Sequence, residues 1–262
     1  MAAVNGLVLV DKPAGPSSFA VVARLRDRYG VKAGHAGTLD PLASGLLLVL
    51  LGRSTRLARY LVGLDKRYVT ELRLGLRTTT GDGEGEVVEE TVIASQAQIE
   101  ALAGDVELPV PAASAVKVGG ERAYRLHRRG VSIEMPLRRS TIHDVRVRRY
   151  APPLAEVALH VSSGTYVRAV ADALGSHCRT LRRTAVGPFS VEDVDEERVL
   201  PPLAALVHLP ARELTEEEAA RVRAGRGLAG EGEGPIALYR GADLVAVGQA
   251  RHGVIRPETV VG

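Results

Sequence analysis

One carboxylate in this chain is set in a context that suits covalent chemistry. Asp40 lies in the stretch AGHAGTLDPLASG, between a glycine-rich run with one histidine and a proline. A carboxylate with a reference pKa of about 3.9 is ionised at neutral pH, so it could act as a nucleophile or a general base. An Asp–Pro step can also simply close a turn, which stabilises a protein by roughly 1 kcal/mol. Gly34 and Gly37 favour the catalytic interpretation, because they permit close backbone approach and unusual dihedral angles.

The sequence contains no motif typical of several other kinds of catalytic or metal-binding site. The seven histidines are scattered and no two are spaced as metal ligands, so we expect no metal site. Cys178 is the only cysteine, which excludes an intrachain disulfide and a cysteine-based zinc site. A Walker A loop, a dinucleotide fingerprint and a serine nucleophile elbow are all missing. A retaining glycosidase would need a second carboxylate about 5 Å from the first, and no motif supplies one.

Regular elements on both sides of Asp40 would hold its turn in place. The opening stretch VNGLVLVDKPAGPSS predicts a strand and a loop, and Ser17 or Ser18 then caps a helix over 18–29. We expect the apolar face of this helix to consist of Phe19, Val22, Leu25 and Tyr29. After Asp40, the run LLLVLL predicts a buried strand, and Ser54 is expected to cap a helix over about 55–63.

The remaining chain mixes strands and helices without a regular βαβ rhythm. Alternation over 68–76 predicts a strand with Tyr68, Thr70, Leu72, Leu74 and Leu76 on one face, and GDGEGE (81–86) predicts an exposed loop. Further strands are expected over 141–149, 155–162 and near 184–191, and helices over 96–103, 121–129, 166–177 and 198–206. These elements predict an α+β fold with a mixed, mainly antiparallel sheet and flanking helices. The proline pair at 201–202 and the Leu–Pro step at 209–210 suggest a linker, so we expect two domains, residues 1–209 and a small β-rich module over 210–262.

Charge is unevenly distributed in a chain whose net charge is only +3. Between Lys117 and Arg149 there are ten lysines and arginines against three acids. Such a segment suits either a bound polyanion or an ordinary solvated loop, and charge alone does not choose between them. The longest fully apolar run, Leu46–Leu51, is too short to span a bilayer, so we expect a soluble, cytoplasmic protein.

Four stretches in order carry a family resemblance. They are VNGLVLVDKPAGPSS, GHAGTLDPLASG, KRYVTELRLG and SSGTYVRAVADALG, within residues 4–190. Together they resemble the TruB family of tRNA pseudouridine-55 synthases. The resemblance implies an isomerase that turns a uridine of the tRNA T loop into pseudouridine, without a cofactor or a metal and without an obligate protein partner.

The resemblance also implies roles for individual residues. Asp40 would attack the flipped-out nucleotide at the ribose or at the base, Tyr68 would stack on that base, and Arg168 would form an ion pair with the aspartate. His35 would fill the space left by the extruded nucleotides, and Tyr166 precedes the arginine by two residues. Leu181 would line the uracil pocket and Arg56 would face the RNA. A basic insertion over about 106–149 would clamp the T arm, with phosphate contacts from Lys117, Arg122, Arg125, Arg128 and Arg129.

Alternatives remain for several of these residues and for the whole protein. Tyr68 could pack in the core, Arg168 could pair with Asp172 on a helix surface, and His35 and Tyr166 could be local packing residues. The protein could be a tRNA-binding or tRNA-folding protein without catalysis, although binding alone needs no aspartate in such a turn. It could also be an RNA-guided relative of the dyskerin type, against which the basic insertion argues. The C-terminal part, about 210–262, weakly resembles a PUA-type RNA-binding module, and we expect a monomer.

Overall fold

The structure, a computed structural model, describes residues 4–114, 116–131 and 133–261. Contacts divide the chain into two compact units, one formed by residues up to Val62 with those from Gly187 onward, the other by Gly63–Val186. This division differs from the predicted boundary at 209/210. The two predicted domains therefore stay a prediction, and their ends at residues 1–3 and 262 lie outside the described residues.

The first unit begins with a pair of antiparallel strands and a helix. Up to Val62 its elements are β1 (Gly6–Lys12), α1 (Ser18–Tyr29), β2 (Ala33–His35), β3 (Ser44–Leu51), a 3-10 helix (Gly52–Leu57) and α2 (Ala58–Val62). Strand β3 pairs with β1 from Gly45 to Leu51, and it also pairs with β2. Residues 46–51 are completely buried, which confirms the strand predicted from LLLVLL.

Helix α1 has the predicted bounds but not the predicted face. The Ser17 hydroxyl accepts a hydrogen bond from the Ala20 N–H, and Gly30 is the C-cap. The buried residues are Ser18, Val21, Val22 and Leu25, spaced at the 3-4-7 interval of one helical stripe. Phe19 was predicted on that stripe and is 70% exposed. The prediction was wrong because the polar Ser18, rather than the aromatic residue, begins the buried stripe.

The predicted helix over 55–63 also begins differently. Ser54 is buried inside a 3-10 turn and does not cap a helix. The N–H of Arg53 is instead satisfied by the Asn5 side-chain carbonyl at 2.6 Å. A cap from residue 5, distant in sequence, replaces the local one that the sequence predicted.

The second unit is built on one antiparallel sheet with strand order β12-β4-β11-β10-β7. Its elements are β4 (Lys66–Leu74), β5 (Leu76–Thr78), β6 (Val87–Glu90), α3 (Gln96–Glu100), β7 (Gly104–Pro109), β8 (Lys117–Val118), β9 (Glu121–Arg122), α4 (Ala123–Arg128), β10 (Leu137–Ala151), β11 (Leu154–Val161), α5 (Val167–Ala173) and β12 (Ser176–Val186). The alternation predicted from Tyr68 to Leu74 is confirmed, since every second residue of β4 is buried. Leu76 lies in the next strand, β5.

Helix α5 is shorter than predicted, and the strand after it is longer. The helix ends at Ala173 because Gly175, with φ of 63°, takes the left-handed conformation that terminates helices. Strand β12 then begins at Ser176, well before the strand predicted near 184–191. Irregular pairing with β4 between Cys178 and Thr180 interrupts its side-chain alternation, so no strand pattern is recognisable in this part of the sequence.

Residues from Gly187 to the C-terminus belong to the first unit. Their elements are β13 (Phe189–Ser190), 3-10 helices (Val191–Asp193 and Pro202–Leu206), β14 (Ala211–Glu213), α6 (Glu216–Arg223), β15 (Leu228–Ala229), β16 (Gly234–Arg240), β17 (Asp243–Arg251) and β18 (Val254–Val260). The last five strands form a sheet of order β14-β16-β17-β18-β15, in which β14 and β16 run parallel. This sheet has its own apolar core around Val222, Leu238 and Ile255. Among the described helices, none is long and apolar enough to cross a membrane.

Candidate active site

The Asp40 turn of the first unit is fixed on its N-terminal side by helix α1. The Ser18 hydroxyl donates to the Leu39 carbonyl and accepts from the Leu39 N–H, both at 2.8 Å. Ser18 and Leu39 are 2% and 3% exposed. Gly37 has φ of 101°, a conformation that only glycine adopts without strain, and it turns the chain from β2 toward this clamp.

A second attachment lies on the C-terminal side of Asp40. The Ala43 N–H donates to the Asp40 carbonyl at 3.1 Å, and the Gly15 N–H donates to the Pro41 carbonyl at 2.7 Å. The Lys12 ammonium donates to the carbonyls of Pro13 and Pro16 at 2.8 Å, and it lies 3.4 Å from that of Pro41. Asp40 itself is half-buried. The backbone of Asp40 is therefore held on both sides, which suits a reacting group that must stay in one position.

His35 lies at the end of β2, just before this turn. It is opposite Val49 of the buried strand β3 and is half-buried. Arg56 lies elsewhere in the same unit, on the 3-10 helix after β3. It is exposed, and its guanidinium donates to the Val260 carbonyl at 3.1 Å. His35 thus lies in the same segment of the chain as Asp40, whereas Arg56 contacts the C-terminal strand β18.

In the second unit, Tyr68 and Leu181 lie on one face of neighbouring strands. Tyr68 is only 9% exposed and lies opposite Leu159 of β11 and Arg183 of β12. Leu181 lies opposite Thr70, two residues further along β4, and so shares the face of Tyr68. Arg183, at 1% exposed, contributes a buried cation to the same face. An aromatic ring, an aliphatic side chain and a guanidinium on one sheet face suit a planar, polar base.

The same face begins with a lysine of unusual acidity. Burial, with the positive charge of Arg183 as a smaller cause, lowers the pKa of Lys66 to about 8. The Lys66 ammonium donates to the Ser163 hydroxyl at 3.0 Å and to the Leu64 carbonyl. A buried ammonium is penalised by desolvation, which is why its neutral form is favoured.

Arg168, near the start of α5, is held by a buried ion pair. One guanidinium nitrogen lies 3.3 Å from an Asp82 carboxylate oxygen and donates to the Thr80 carbonyl at 2.7 Å; the other donates to the Ala113 carbonyl at 3.0 Å. Both side chains of the pair are almost completely buried. The other Asp82 carboxylate oxygen accepts from the Thr80 hydroxyl and from the Glu84 N–H. Several fixed bonds therefore set the orientation of this guanidinium.

Asp172, considered above as a surface partner for Arg168, pairs with a different arginine. Its carboxylate accepts two hydrogen bonds of 2.9 Å from Arg77. These bonds raise the pKa of Arg77, with a further contribution from Glu89. Tyr166 is the half-buried N-cap residue of α5, and its carbonyl accepts from the Ala169 N–H. Arg168 and Tyr166 thus lie together at one end of this helix, with the arginine directed into the protein.

The basic insertion predicted over about 106–149 includes parts of two strands of the sheet, β7 and β10. The described residues between these strands, 110–114, 116–131 and 133–136, lie outside that sheet and are called the 110–136 segment. Helix α4 is tied to the preceding segment because the Tyr124 N–H donates to the Ser114 carbonyl at 2.9 Å. All five predicted phosphate-binding cations are exposed, namely Lys117, Arg122, Arg125, Arg128 and Arg129. Of these, Arg129 forms an ion pair with Glu121 at 2.8 Å.

Three residues of this architecture were missed in the sequence: Ser18, Lys12 and Asp82. The sequence predicts Ser18 only as a possible helix cap, since nothing local indicates its partner 21 residues away. Asp82 lies in the glycine-rich, acidic stretch that predicted an exposed loop, yet it is 3% exposed. Lys12 carried a signal, because a lysine at the end of a fully apolar strand is unusual, and it is completely buried.

Comparison with known proteins assigns the family. A model described as TruB family pseudouridylate synthase (N terminal domain) matches residues 25–167. The tRNA pseudouridine synthase B of Thermobifida fusca (strain YX) is 41% identical, with 98% of each chain covered. That of Mycobacterium sp. (strain KMS) is 40% identical, covering 98% of this chain and 95% of the relative.

Solved structures agree on the fold. A crystal structure of a Cbf5–Nop10–Gar1 complex matches with a TM-score of 0.74 at 24% identity, covering 98% of this chain and 85% of that one. An H/ACA RNP bound to a substrate RNA containing 2′-deoxyuridine matches with a TM-score of 0.73 at 23% identity and the same coverage. At this level of identity the likeness concerns the fold alone. Together with the family model and the relatives of about 40% identity, it establishes that the chain belongs to the TruB family of pseudouridylate synthases.

Proposed function

We propose that this protein isomerises a uridine of the tRNA T loop, at position 55, to pseudouridine, with Asp40 as the nucleophile. Support comes from the family, from relatives of about 40% identity that are named tRNA pseudouridine synthase B, and from the doubly anchored turn around Asp40. The turn is the single structural observation that carries the assignment of Asp40, which the family resemblance implies. A carboxylate that attacks a ribose or a base must be fixed before the substrate arrives.

The reaction is balanced without a redox step. The bond between N1 of uracil and C1′ of ribose breaks, the base turns, and a bond forms between C5 and C1′. The hydrogen on C5 leaves as a proton while N1 gains one, so product and substrate have the same composition. Asp40 supplies the electron pair that holds the nucleotide while the base turns, and it is released when the new bond is complete.

Base extrusion precedes this chemistry. Taking a uridine out of the T loop costs a few kcal/mol of unstacking. Stacking on an aromatic side chain returns roughly 1–3 kcal/mol per base, which is the role we assign to Tyr68. Leu181 shares its sheet face and would line the same uracil pocket. His35 would occupy the space that the extruded nucleotides leave.

Arg168 is assigned to charge stabilisation by the family resemblance. A guanidinium is always protonated, and it favours the ionised form of a carboxylate partner, here Asp40. The Asp82 ion pair and two backbone carbonyls fix its orientation, so little conformational entropy is lost on binding substrate. Tyr166, at the start of the same helix, would border this part of the pocket.

Affinity for tRNA would come largely from phosphate contacts. The exposed cations of the 110–136 segment and Arg56 are suited to bind the T-arm backbone, since such contacts position an RNA without reading its sequence. We further assign residues 210–262 as a small PUA-like RNA-binding module, supported by their separate sheet and core. The enzyme would act in the cytoplasm as a monomer without an obligate partner.

The purified protein alone should modify an unmodified tRNA transcript. Nucleoside analysis should detect one pseudouridine per tRNA, and carbodiimide mapping by reverse transcription should locate it at position 55. A transcript with cytidine at that position is the matched control and should yield none. Modification only after addition of a guide RNA and partner proteins would favour the dyskerin-type alternative. Tight binding without product would favour the tRNA-folding alternative.

A further inference from the structure

Three side chains with metal-ligating atoms meet on the sheet of the second unit. Asp65 directly precedes β4, His143 lies in β10 and His160 lies in β11. His160 is opposite Arg67 in register and therefore lies on the face of the sheet that does not carry Tyr68. This cluster is thus separate from the residues assigned to the pseudouridine reaction.

A β-bulge lies at the cluster. Ile142 pairs with Val161 and Asp144 pairs with His160, so His143 is the extra residue of the bulge in β10. Bulges of this kind redirect a side chain and are frequent beside functional sites. Regular pairing would also place His143 on the same face as His160, and the bulge sets both His143 and Asp144 against His160. The two imidazole rings lie 4.8 Å apart between centroids.

Both imidazoles approach the same carboxylate oxygen. Nε2 of His143 is 3.2 Å from Oδ2 of Asp65, and Nε2 of His160 is 3.9 Å from that atom. The three ligand atoms lie within 4.8 Å of one another. Tetrahedral zinc with bonds of about 2.0–2.1 Å needs its ligand atoms roughly 3.4 Å apart, so small side-chain rotations complete the geometry. One proton shared with the Asp65 carboxylate engages only one imidazole. One metal cation can bind both imidazoles and the carboxylate.

We propose that Asp65, His143 and His160 bind one divalent transition-metal ion, with Zn²⁺ as the best match. Two imidazoles and one carboxylate prefer Zn²⁺ and its first-row neighbours over Mg²⁺ or Ca²⁺, which favour all-oxygen sites. Three protein ligands leave the fourth position to water or to an incoming ligand. Asp144, the next acid in β10, is engaged elsewhere, since its carboxylate pairs with Arg146 at 2.8 Å.

The surroundings of the open position indicate what it would accept. A cavity of about 240 Å³ adjoins His160, and its charged lining consists of three arginines, Arg67, Arg146 and Arg148, and one acid, Asp144. These cations weaken the attraction for a bare metal ion, so we expect moderate rather than structural-zinc affinity. They also favour an anionic fourth ligand, such as a phosphate or carboxylate oxygen. The chemical class of the complete ligand set is therefore two imidazoles, a carboxylate and an oxyanion or water.

Histidine spacing along the chain predicted no metal site, and the reason is topological. His143 and His160 lie on adjacent strands of a hairpin, and Asp65 directly precedes β4, the strand on the other side of β11. Only the sheet register brings them together. A metal ion that binds the folded chain but not the unfolded chain would raise the stability of the protein by mass action.

Calorimetric titration of the tag-free, EDTA-treated full chain with ZnCl₂ tests the proposal. The parent should bind one equivalent, and its melting temperature should rise with Zn²⁺ but not with Mg²⁺. His143→Ala and His160→Ala should each bind at least tenfold more weakly. His127→Ala, which changes a histidine of helix α4 in the same unit, should bind like the parent.

Two further measurements keep the test independent of variant folding. Both histidines are partly exposed, so the variants should retain the parent circular dichroism spectrum. On the parent itself, Zn²⁺ should shift the imidazole NMR signals of His143 and His160, and Co²⁺ should give the visible bands of a tetrahedral site. Failure of Zn²⁺ to bind at one equivalent, or equal binding by the parent and His143→Ala, would overturn the proposal.

Discussion

The hydroxyl of Ser18 is bonded to both backbone polar groups of Leu39, donating to its carbonyl and accepting from its N–H at 2.8 Å each. Leu39 is the residue before Asp40, and both partners are buried. The first turn of α1 is in this way joined to the turn that presents the carboxylate. Ser18 is therefore a positioning residue for Asp40. Its substitution should affect catalysis through the position of Asp40 and not through a contact with the substrate.

Ser18→Ala should lower kcat while leaving KM for tRNA nearly unchanged. The substitution leaves the Leu39 N–H and carbonyl buried without their partner, which costs about 1–3 kcal/mol of stability. Ser17→Ala is the matched control, because it removes the α1 cap at a cost of about 0.5–2 kcal/mol but does not contact Leu39. Steady-state kinetics and urea unfolding should separate the two. Equal kcat in both variants would contradict the positioning role.

Asp82→Asn should destabilise the protein strongly. It keeps the shape of the side chain but removes the negative charge that Asp82 contributes to its buried ion pair with Arg168, and breaking such a pair typically costs about 3–5 kcal/mol. Asp172→Asn is the comparison, because the Arg77–Asp172 pair is partly exposed and should contribute below about 1 kcal/mol. Denaturant unfolding measures both. A smaller loss for Asp82→Asn than for Asp172→Asn would be incompatible with this account.

The stability of the protein should rise with pH above about 8 because of Lys66. Its pKa is lowered to about 8 in the folded state, against 10.5 when unfolded. Between these values the unfolded chain binds more protons, so the free energy of unfolding increases with pH. Below about pH 8 both states are protonated and the desolvation penalty is present in full.

Unfolding in urea at a series of pH values from about 7 to 10 tests this linkage. Relative to the parent, Lys66→Met should lack the increase. Lys32→Met, at an exposed lysine, should retain it. If the parent and Lys66→Met show the same pH profile, the lowered pKa of Lys66 is wrong.

Cations of the 110–136 segment should contribute to RNA affinity through phosphates. Arg122→Gln and Arg128→Gln should each weaken tRNA binding and reduce the slope of log K against log salt by about one, with kcat unchanged at saturating tRNA. Arg26→Gln, on the exposed side of α1, is the control and should leave the slope unchanged. If the slope of log K against log salt is identical in all variants, the proposed phosphate contacts are wrong.

Local signals predicted much of the fold. Helix α1 was bounded correctly because its Ser17 cap and Gly30 stop lie within or beside the helix's own sequence. Strand β4 was recognised because its alternation is unbroken. The family resemblance, carried by short motifs, was enough to identify Asp40, Tyr68 and Arg168 as candidate site residues.

What the sequence could not predict depends on partners distant along the chain. The neighbouring glycines and acids predict an exposed loop around Asp82, whereas its burial depends on Arg168, 86 residues later. The Asp65–His143–His160 cluster depends on the register of neighbouring strands, which residue spacing along the chain does not show. Phe19 was misplaced for a similar reason, since the tertiary partner of Ser18 decides which stripe of α1 is buried.

Release of tritium from C5 of uridine tests the central claim most directly. A T-arm stem-loop labelled at C5 would be incubated with the parent and with Asp40→Asn, and RNA binding would be measured in parallel. Isomerisation must expel the C5 hydrogen, whereas binding leaves it in place. We predict release by the parent and none by Asp40→Asn, with RNA affinity retained in both. Equal release by the two proteins would contradict the assignment of Asp40 as the nucleophile.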